Sequence, residues 1–431
     1  MSDTPAPPRE TEVVVIGGGI VGVSAALFLA EWGVPCVVVE KGRVGAEQSG
    51  RNWGWIRKQG RDLRELPLMI ESARQWARIV PLLDRDVGFR RAGTTYLAET
   101  DAQMAEREAW VRAAQPFQLD SRVLSAAETD ALLGRDDRRF RGCIHTPSDC
   151  TAEPGLASPA VGRLAAATGA TVVEGCAARG LVMRAGRVAG VVTERGEIAC
   201  RAVILAGGAW SRTFLENLGA PLAQLAIRSS ALRTGPAPEI HPGGLGAPGA
   251  SLRRRPDGGY TVARSGAAEF RLIPAAFAHL PAFLPVIRSQ WRIMKIRAGA
   301  DFFGPLGRRR WADDQVTPFE RHRVLDPAPD MALLNDVLAA ARALHPRLGD
   351  IRIEQAWAGM IDVTPDELPV IDHLPQRPGL VLATGLSGHG FGLGPGAGLL
   401  AAQLATGRAP AADPAPFAYA RLHPRAAAIA A

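Results

Sequence analysis

Val13-Val14-Val15-Ile16-Gly17-Gly18-Gly19-Ile20-Val21-Gly22, continuing as an apolar run to Ala30, decides how this chain folds. Val13 to Ala30 is long and apolar enough to imitate a membrane span, but its internal order argues against one. Val13 to Ile16 is a β-branched run of strand length, glycines interrupt it, and Ser24 to Ala30 reads as a helix stopped at Glu31-Trp32-Gly33. A second β-branched strand, Val37-Val38-Val39, ends at Glu40. Strand, glycine turn, helix, strand is a βαβ unit on a buried parallel sheet. Gly17-x-Gly19-x-x-Gly22 permits a tight turn, close approach of backbone to a pyrophosphate, and close helix-strand packing. The helix N-terminus then stabilises phosphate charge and Glu40 accepts from a ribose. A tight turn without a ligand would not need the acid.

Outward from this unit, Glu65 to about Leu83 alternates apolar and charged residues at helical spacing and closes at Pro81. Glu153-Pro154 opens a helix that ends at Gly169. Thr171-Val172-Val173 is a short strand, a hairpin turns at Ala185-Gly186, and Ala202 to Leu205 is a buried strand running into Ala206-Gly207-Gly208-Ala209-Trp210. From about Pro221 to Leu348 the strands look antiparallel, as in Gly259 to Ala263, with one helix over Met331 to Leu344. Gly379 to Gly385 returns to parallel-strand composition, followed by a glycine-rich loop and a helix over Gly398 to Thr406. The fold expected is α/β. Residues 1–85, 146–220 and 350–431 form a nucleotide-binding domain, and residues 86–145 and 221–349 form an interleaved antiparallel-sheet (α+β) substrate domain.

Composition bounds the function. The 431 residues carry 50 basic and 43 acidic side chains, 47 glycines and 33 prolines, the profile of a globular enzyme rather than a collagen, coiled coil or disulfide scaffold. The net charge of +7 comes mostly from scattered arginine; lysine occurs only at 41, 58 and 295. The densest run, Arg308-Arg309-Arg310, is too short for a nucleic-acid face. Cys36, Cys143, Cys150, Cys176 and Cys200 have no metal-ligand or C-x-x-C spacing and read as buried free thiols. The first ten residues lack the pattern of a signal peptide, so a cytoplasmic location is expected. The final alanine-rich residues read as a frayed helix.

Four stretches together resemble the D-amino-acid oxidase, glycine oxidase and sarcosine oxidase superfamily, close to its D-amino-acid dehydrogenases. These are Val14 to Gly22 with Glu40-Lys41; Gly45 to Trp55; Val203 to Trp210; and Trp357-Ala358-Gly359 through Thr364-Pro365-Asp366 to Gly394. The resemblance implies a Rossmann-type FAD-binding domain and, besides Gly17, Gly19, Ile20 and Gly22, a cofactor loop of Ser49, Gly50, Arg51, Asn52, Trp53 and Gly54. It matches Ala178 to an adenine contact that is commonly valine, and Gly208 and Trp210 to a loop closing over the dinucleotide. Gly388, His389, Gly390, Phe391 and Gly392 would stabilise negative charge at the flavin N1–C2=O edge.

The implied chemistry is oxidation of a C–N bond in a D-amino acid or related amine, with the α-hydride passing to flavin N5. The resulting imine hydrolyses to a carbonyl, and oxygen or a quinone-like carrier takes the electrons. Alternatives are a secondary-amine or opine oxidoreductase and the flavin subunit of a multi-chain dehydrogenase. His389 either tunes amine protonation or only bonds to backbone. Many relatives carry a carboxylate-binding arginine shortly before Thr-Pro-Asp, where this chain has Met360-Ile361-Asp362-Val363. Arg51, Arg264 or Arg297 then takes that task, or the substrate is not a simple α-amino acid. Asp362 either faces the pocket, favouring a cationic or secondary amine, or is a solvent-facing turn residue. Gly359 and Gln48 to Gly50 stand where relatives attach flavin covalently, so non-covalent FAD is expected, with no metal. Trp53 and Trp55 line the substrate pocket or pack the core. Phe277 to Ile287, with Trp291, Phe302 and Phe303 beyond it, roofs the active site rather than resting on a membrane. Lys295 would assist oxygen reduction if it lay over the flavin.

Overall fold

A computed structural model describes residues 5–290, 295–307 and 310–422, with side chains 289 and 290 outside the description. Trp291, Arg308, Arg309 and the final alanine-rich residues therefore lie outside the described residues. In chain order the elements that frame the site are β1 (Val13–Ile16), α1 (Ile20–Glu31), β2 (Cys36–Val39), α2 (Leu66–Ile79), α3 (Pro154–Thr168), β3 (Thr171–Val173), β4 (Ala202–Leu205), β5 (Leu225–Thr234), α4 (Leu280–Gln290), β6 (Ile353–Val363), β7 (Val370–His373), β8 (Leu380–Thr384) and α5 (Gly390–Thr406).

A six-stranded sheet runs β7-β8-β4-β1-β2-β3. All its pairs are parallel except β7 with β8 at the edge. Every residue of β1, β2 and β4 is buried, which is why these strands are unbroken runs of apolar residues, mostly β-branched, rather than alternating ones. Val14 of β1 pairs with Val37 on one side and Val203 on the other. The chain leaves β1 in opposite directions there, so the strand ends at Ile16, Val39 and Leu205 open into a crevice at a topological switch point. Helix α1 ends as the sequence predicts: Gly33, at φ 70°, donates its N–H to Ala30 O and Val34 donates to Leu29 O, a Schellman stop.

Helix α5 starts eight residues before the predicted Gly398, so the stretch read as a glycine-rich loop is its first two turns. The reason is packing against α1 and α2. A Cβ at Gly394 would come within 2.6 Å of Ile20, at Gly396 within 2.8 Å of Leu68 O, and at Gly398 within 2.7 Å of Val21 O. Helix propensity is sacrificed at each glycine, roughly 1 kcal/mol apiece, and contact between helix backbones offsets it.

A second, ten-stranded sheet gathers the antiparallel strands, among them Thr94–Ala98, Gly142–Thr146 and Tyr260–Ala263, around β5. Here the expected boundary at residue 350 meets a difference. Strand β6 pairs antiparallel with β5 from Leu225↔Val363 to Thr234↔Ile353, inside this second sheet; a partner more than a hundred residues away leaves no mark on the local pattern. The predicted hairpin at Ala185-Gly186 is present, with both residues at positive φ.

Candidate functional site

One cavity of about 700 Å³ spans the crevice and the face of the second sheet. Its crevice end is lined by Gly17, Gly19, Ile20, Glu40, Lys41, Ser49, Arg51, Asn52, Trp53, Ala178, Gly208 and Trp210, and the helix end above it by Gly388, His389, Gly390, Phe391 and Gly392. Gly22, Gly50 and Gly54, expected among the cofactor contacts, lie behind that wall. A Cβ on Gly22 would meet Gly17 O at 2.0 Å, on Gly50 Gly45 O at 2.4 Å, and on Gly54 Ala152 O at 2.2 Å; each glycine lets backbones touch instead of facing the cavity.

The fit to a dinucleotide is tested by what the crevice contains. Neither α1 nor α5 has an acidic residue in its first turn or a side-chain cap at its start, so both helix N-termini present positive partial charge to the cavity. A side chain on Gly17, at φ 109°, would strike Ala206 O at 2.5 Å, so only glycine holds the turn. The Glu40 carboxylate is gripped by the N–H groups of Gly18 and Gly42, both at 2.7 Å. Burial pushes Glu40 upward from the usual carboxylate range, opposed by Lys41 and these two N–H groups. Each of its oxygens keeps a second lone pair for a hydroxyl. Ile20 donates its N–H to Ser49 Oγ at 2.9 Å, which pins the second glycine-rich segment to the start of α1. Several expected contacts are committed to the scaffold. Lys41 bonds Glu47 and the carbonyls of His322 and Arg323 and lies 4.6 Å over the Trp210 ring. Trp210 Nε1 donates to Glu47, and the Asn52 amide donates to Gln48 O and Ser49 O. The residues fit FAD: backbone for phosphate and flavin, an acid for ribose.

The other end is made of side chains. Trp55, Arg57, Arg61 and Tyr96 form one wall, and Ile227, Phe270, Phe283, Val286, Ile287, Met360 and Ile361 an apolar wall. The expected roof is present in part: Phe283, Val286 and Ile287 of the 277–287 segment line the cavity, while Phe277, Leu280 and Leu284 face solvent. Arg57 stacks on the Tyr96 ring at 5.4 Å, donates to Gln59 O and has no carboxylate within ion-pair distance among the described residues. Sequence reasoning missed Arg57, Arg61, Tyr96 and Glu65; the i, i+4 pair of arginines directly after the flavin loop was the available signal.

Of the three arginines proposed for a substrate carboxylate, Arg51 lines the cavity but bonds Asp326 at 2.7 Å and Ala358 O at 3.0 Å. Arg264 lines it and bonds Gly249 O. Arg297 stands exposed on the strand Lys295–Arg297, outside the cavity lining. Lys295 is on the same strand, 3.8 Å from Asp330 and half exposed, in a neighbouring cavity; it does not reach the flavin end.

Asp362 lines the cavity, the first of its two expected placements, and excludes the second. It is 1% exposed, so it is no solvent-facing turn residue, and its carboxylate is taken up by the scaffold. Oδ2 accepts from Gly385 N at 2.7 Å, Gln224 Nε2 at 2.9 Å and Thr384 Oγ1 at 3.4 Å. These bonds offset a desolvation penalty of several kcal/mol and join β6 of one sheet to β8 of the other. Burial pushes its carboxyl upward.

His389 caps the start of α5, and its Nδ1 lies 3.3 Å from Oε1 of Glu65, a carboxylate with no exposure. Arg61 Nη1 stands 3.7 Å from Oε2 of the same carboxylate. Burial, then Arg61, pulls His389 below its ordinary value, with Glu65 opposing. Burial would raise Glu65, but His389 and Arg61 bring it below the usual range. Burial and the neighbouring Arg57 lower Arg61 to about 10. Among the described residues no cluster of His, Cys, Asp and Glu could hold a metal, and no helix is long and apolar enough to cross a membrane.

Crevice, acid and glycine-backed helix together define a flavin-dependent oxidoreductase, and the chain belongs to the DAO family of FAD dependent oxidoreductases, whose model matches residues 12–404. It is therefore an enzyme of amine or amino-acid oxidation that uses FAD. It is 26% identical to sarcosine oxidase subunit beta of Arthrobacter sp. over 97% of this chain and 92% of that one. It is 26% identical to glycine oxidase of Pseudomonas putida over 94% of this chain and 98% of that one. The solved L-amino acid deaminase from Proteus myxofaciens superposes with a TM-score of 0.91 at 28% identity, covering 97% and 94% of the two chains.

Proposed function

We propose that this enzyme oxidises an α-amino acid with an apolar side chain at its C–N bond, using non-covalent FAD. The observation that carries this reading is the two-sided substrate end. Arg57, a cavity-lining guanidinium without a carboxylate partner among the described residues, shares the cavity with the apolar side chains of Phe270, Phe283, Val286 and Ile287. A substrate carboxylate at Arg57 satisfies a charge the protein leaves open, and the side chain then lies under α4. Bound FAD supplies the acceptor for the substrate hydride; the chain's own groups orient the amino acid and exclude water from the reacting carbon. No cysteine lines the cavity, which supports non-covalent attachment. Oxygen or a quinone-like carrier then reoxidises the cofactor.

The likeness to the Proteus L-amino acid deaminase supports the L hand, against the D hand expected from sequence. A second reading, a secondary amine as substrate, is favoured by the absence of an arginine from Met360 to Val363 and by the likeness to sarcosine oxidase subunit beta. Anaerobic bleaching of the bound flavin decides among them, using leucine and phenylalanine of both hands and sarcosine. Bleaching by the L forms is the expected result. Bleaching by D forms alone restores the earlier expectation, sarcosine alone selects the second reading, and no bleaching by any amine overturns the proposal.

A further inference from the structure

We propose that His389 is the group that takes the proton from the substrate ammonium, and that Glu65 is a positioning residue that fixes the imidazole in the tautomer able to do so. The inference rests on the reading of the site as an amine-oxidising one. An amine gives up its α-hydride only when its nitrogen lone pair is free, and an α-amino acid at neutral pH is an ammonium ion. Some group has to hold that proton or the enzyme must wait for the rare neutral amine.

The geometry points to one nitrogen. Glu65 has no exposure, and its Oε1 lies 3.3 Å from His389 Nδ1. A buried carboxylate is an acceptor only, so the proton of the neutral ring sits on Nδ1. Nε2 is then the lone pair, and the ring's one side-chain hydrogen bond among the described residues is that of Nδ1 with Glu65. His389 lines the cavity together with Arg57 and Arg61. A substrate whose carboxylate is held at Arg57 brings its nitrogen to the same wall. The groups facing the ring are Glu65, Arg61 and Arg57, all on the segment before α2, with Asp62 of that segment at longer range. Burial, with the two arginines, favours the neutral ring before substrate arrives, and the carboxylate partners the imidazolium after transfer.

In the step itself the N–H bond of the ammonium breaks, a new N–H bond forms at Nε2, and the electron pair stays on the substrate nitrogen. No electrons change hands. The proton passes to water from the partly exposed ring, whose side chain is 23% accessible. Arg61 Nη1 and Glu65 Oε2, both buried, lack hydrogen-bond partners and sit 3.7 Å apart. That looseness lets Glu65 turn its charge toward the ring when the ring becomes cationic.

Two readouts on the FAD-loaded enzyme test this. Nitrogen-15 spectra of histidine-labelled protein, with His389 identified by its loss in His389→Asn, are expected to show the Nδ1–H tautomer at pH 7. In Glu65→Gln a mixture of tautomers is expected. A neutral ring carrying its proton on Nε2 in the wild type overturns the proposal without any substrate. In kinetics, His389→Asn is expected to lower kcat/KM for an amino acid about 100-fold at pH 7. The deficit should shrink to less than about threefold near pH 10, where the amine is already neutral. Glu65→Gln is expected to move the acid limb of kcat/KM down by about one pH unit. A loss in His389→Asn that is equal at pH 7 and pH 10 is that of a merely structural residue and overturns the proposal while leaving the amine-oxidation reading intact. A wild-type flavin that no amine reduces overturns both.

Discussion

The two ends of the cavity are built by opposite means. At the dinucleotide end the recognition surface is mostly backbone: Gly17, Gly19 and Gly208 line it, Glu40 keeps lone pairs for a hydroxyl, and Lys41, Asn52 and Trp210 are already bonded to the scaffold. At the substrate end the surface is side chain: Arg57, Tyr96, His389 and the apolar residues of α4 and β6. A surface made of backbone is fixed by the fold and tolerates almost no substitution, whereas one made of side chains can change specificity while the fold stays. The two carboxylates on either side follow the same division. Asp362 is bonded on three sides and joins the sheets, while Glu65 has an oxygen without a hydrogen bond, 3.7 Å from Arg61.

The sharpest way to break this contrast is at the backbone end. Gly22→Val places branched carbon against Gly17 O, where even a Cβ would sit at 2.0 Å, and is expected to cost 3 kcal/mol or more, roughly the upper range for overpacking. Flavin absorbance of the purified protein and its melting temperature check it; a variant with full FAD and an unchanged melting temperature ends the argument that backbone contact builds this end. Next in size, Arg57→Ala is expected to lower kcat/KM for amino acids by about 100-fold, on the order of the 2–5 kcal/mol for removing one partner of a hydrogen-bonded charge pair. FAD content should stay at one per chain, and an unchanged kcat/KM removes Arg57 from the substrate end.

Asp362→Ala is expected to destabilise the protein by about 2 kcal/mol through unpaired donors. Because Asp362 holds structure and not a proton of the substrate, the pH dependence of kcat/KM should be unmoved; a displaced acid limb contradicts the division between the two carboxylates. A last effect, silent at neutral pH, lies away from the cavity, at His241, bonded to Thr95 Oγ1 and lowered by burial to about 4. The unfolded chain binds this proton near 6.5 and the folded one only near 4, so the unfolded state holds more protons between those values. Stability is therefore full above 6.5 and falls as pH drops toward 4, by about 1.4 kcal/mol per unit for one such group. His241→Gln should flatten the fall in melting temperature between pH 6.5 and 4, and an equally steep fall refutes the assignment to this ring.

What could be read from sequence follows the same line between backbone and side chain. Gly17, Gly19 and Glu40 were legible because one local pattern specifies strand, turn, helix and acid within about thirty residues. Strand β6 was not read at all, its residues being counted with the nucleotide-binding domain, because its partner, β5, lies over a hundred residues away and pairing leaves no local trace. The start of α5 was read as loop because glycine and proline signal turns on their own, and only the proximity of Ile20, Leu68 and Val21 explains them. Asp362 was undecided between pocket and solvent because its partners, Gln224, Thr384 and Gly385, come from three places in the chain. Glu65 was passed over as an ordinary charge at the edge of a helix, since burial at zero exposure is a tertiary fact.

The glycine face of α5 has one more consequence. A helix whose backbone rests on two others has no room to slide, tilt or swell, so the segment His389 to Gly392 at its start is held at a fixed height above the crevice. Adaptation to a new substrate must then come from the rest of the lining, where the apolar side chains of α4 can change one residue at a time. The enzyme works like a vice with one jaw bolted to the bench: every adjustment is made at the other jaw.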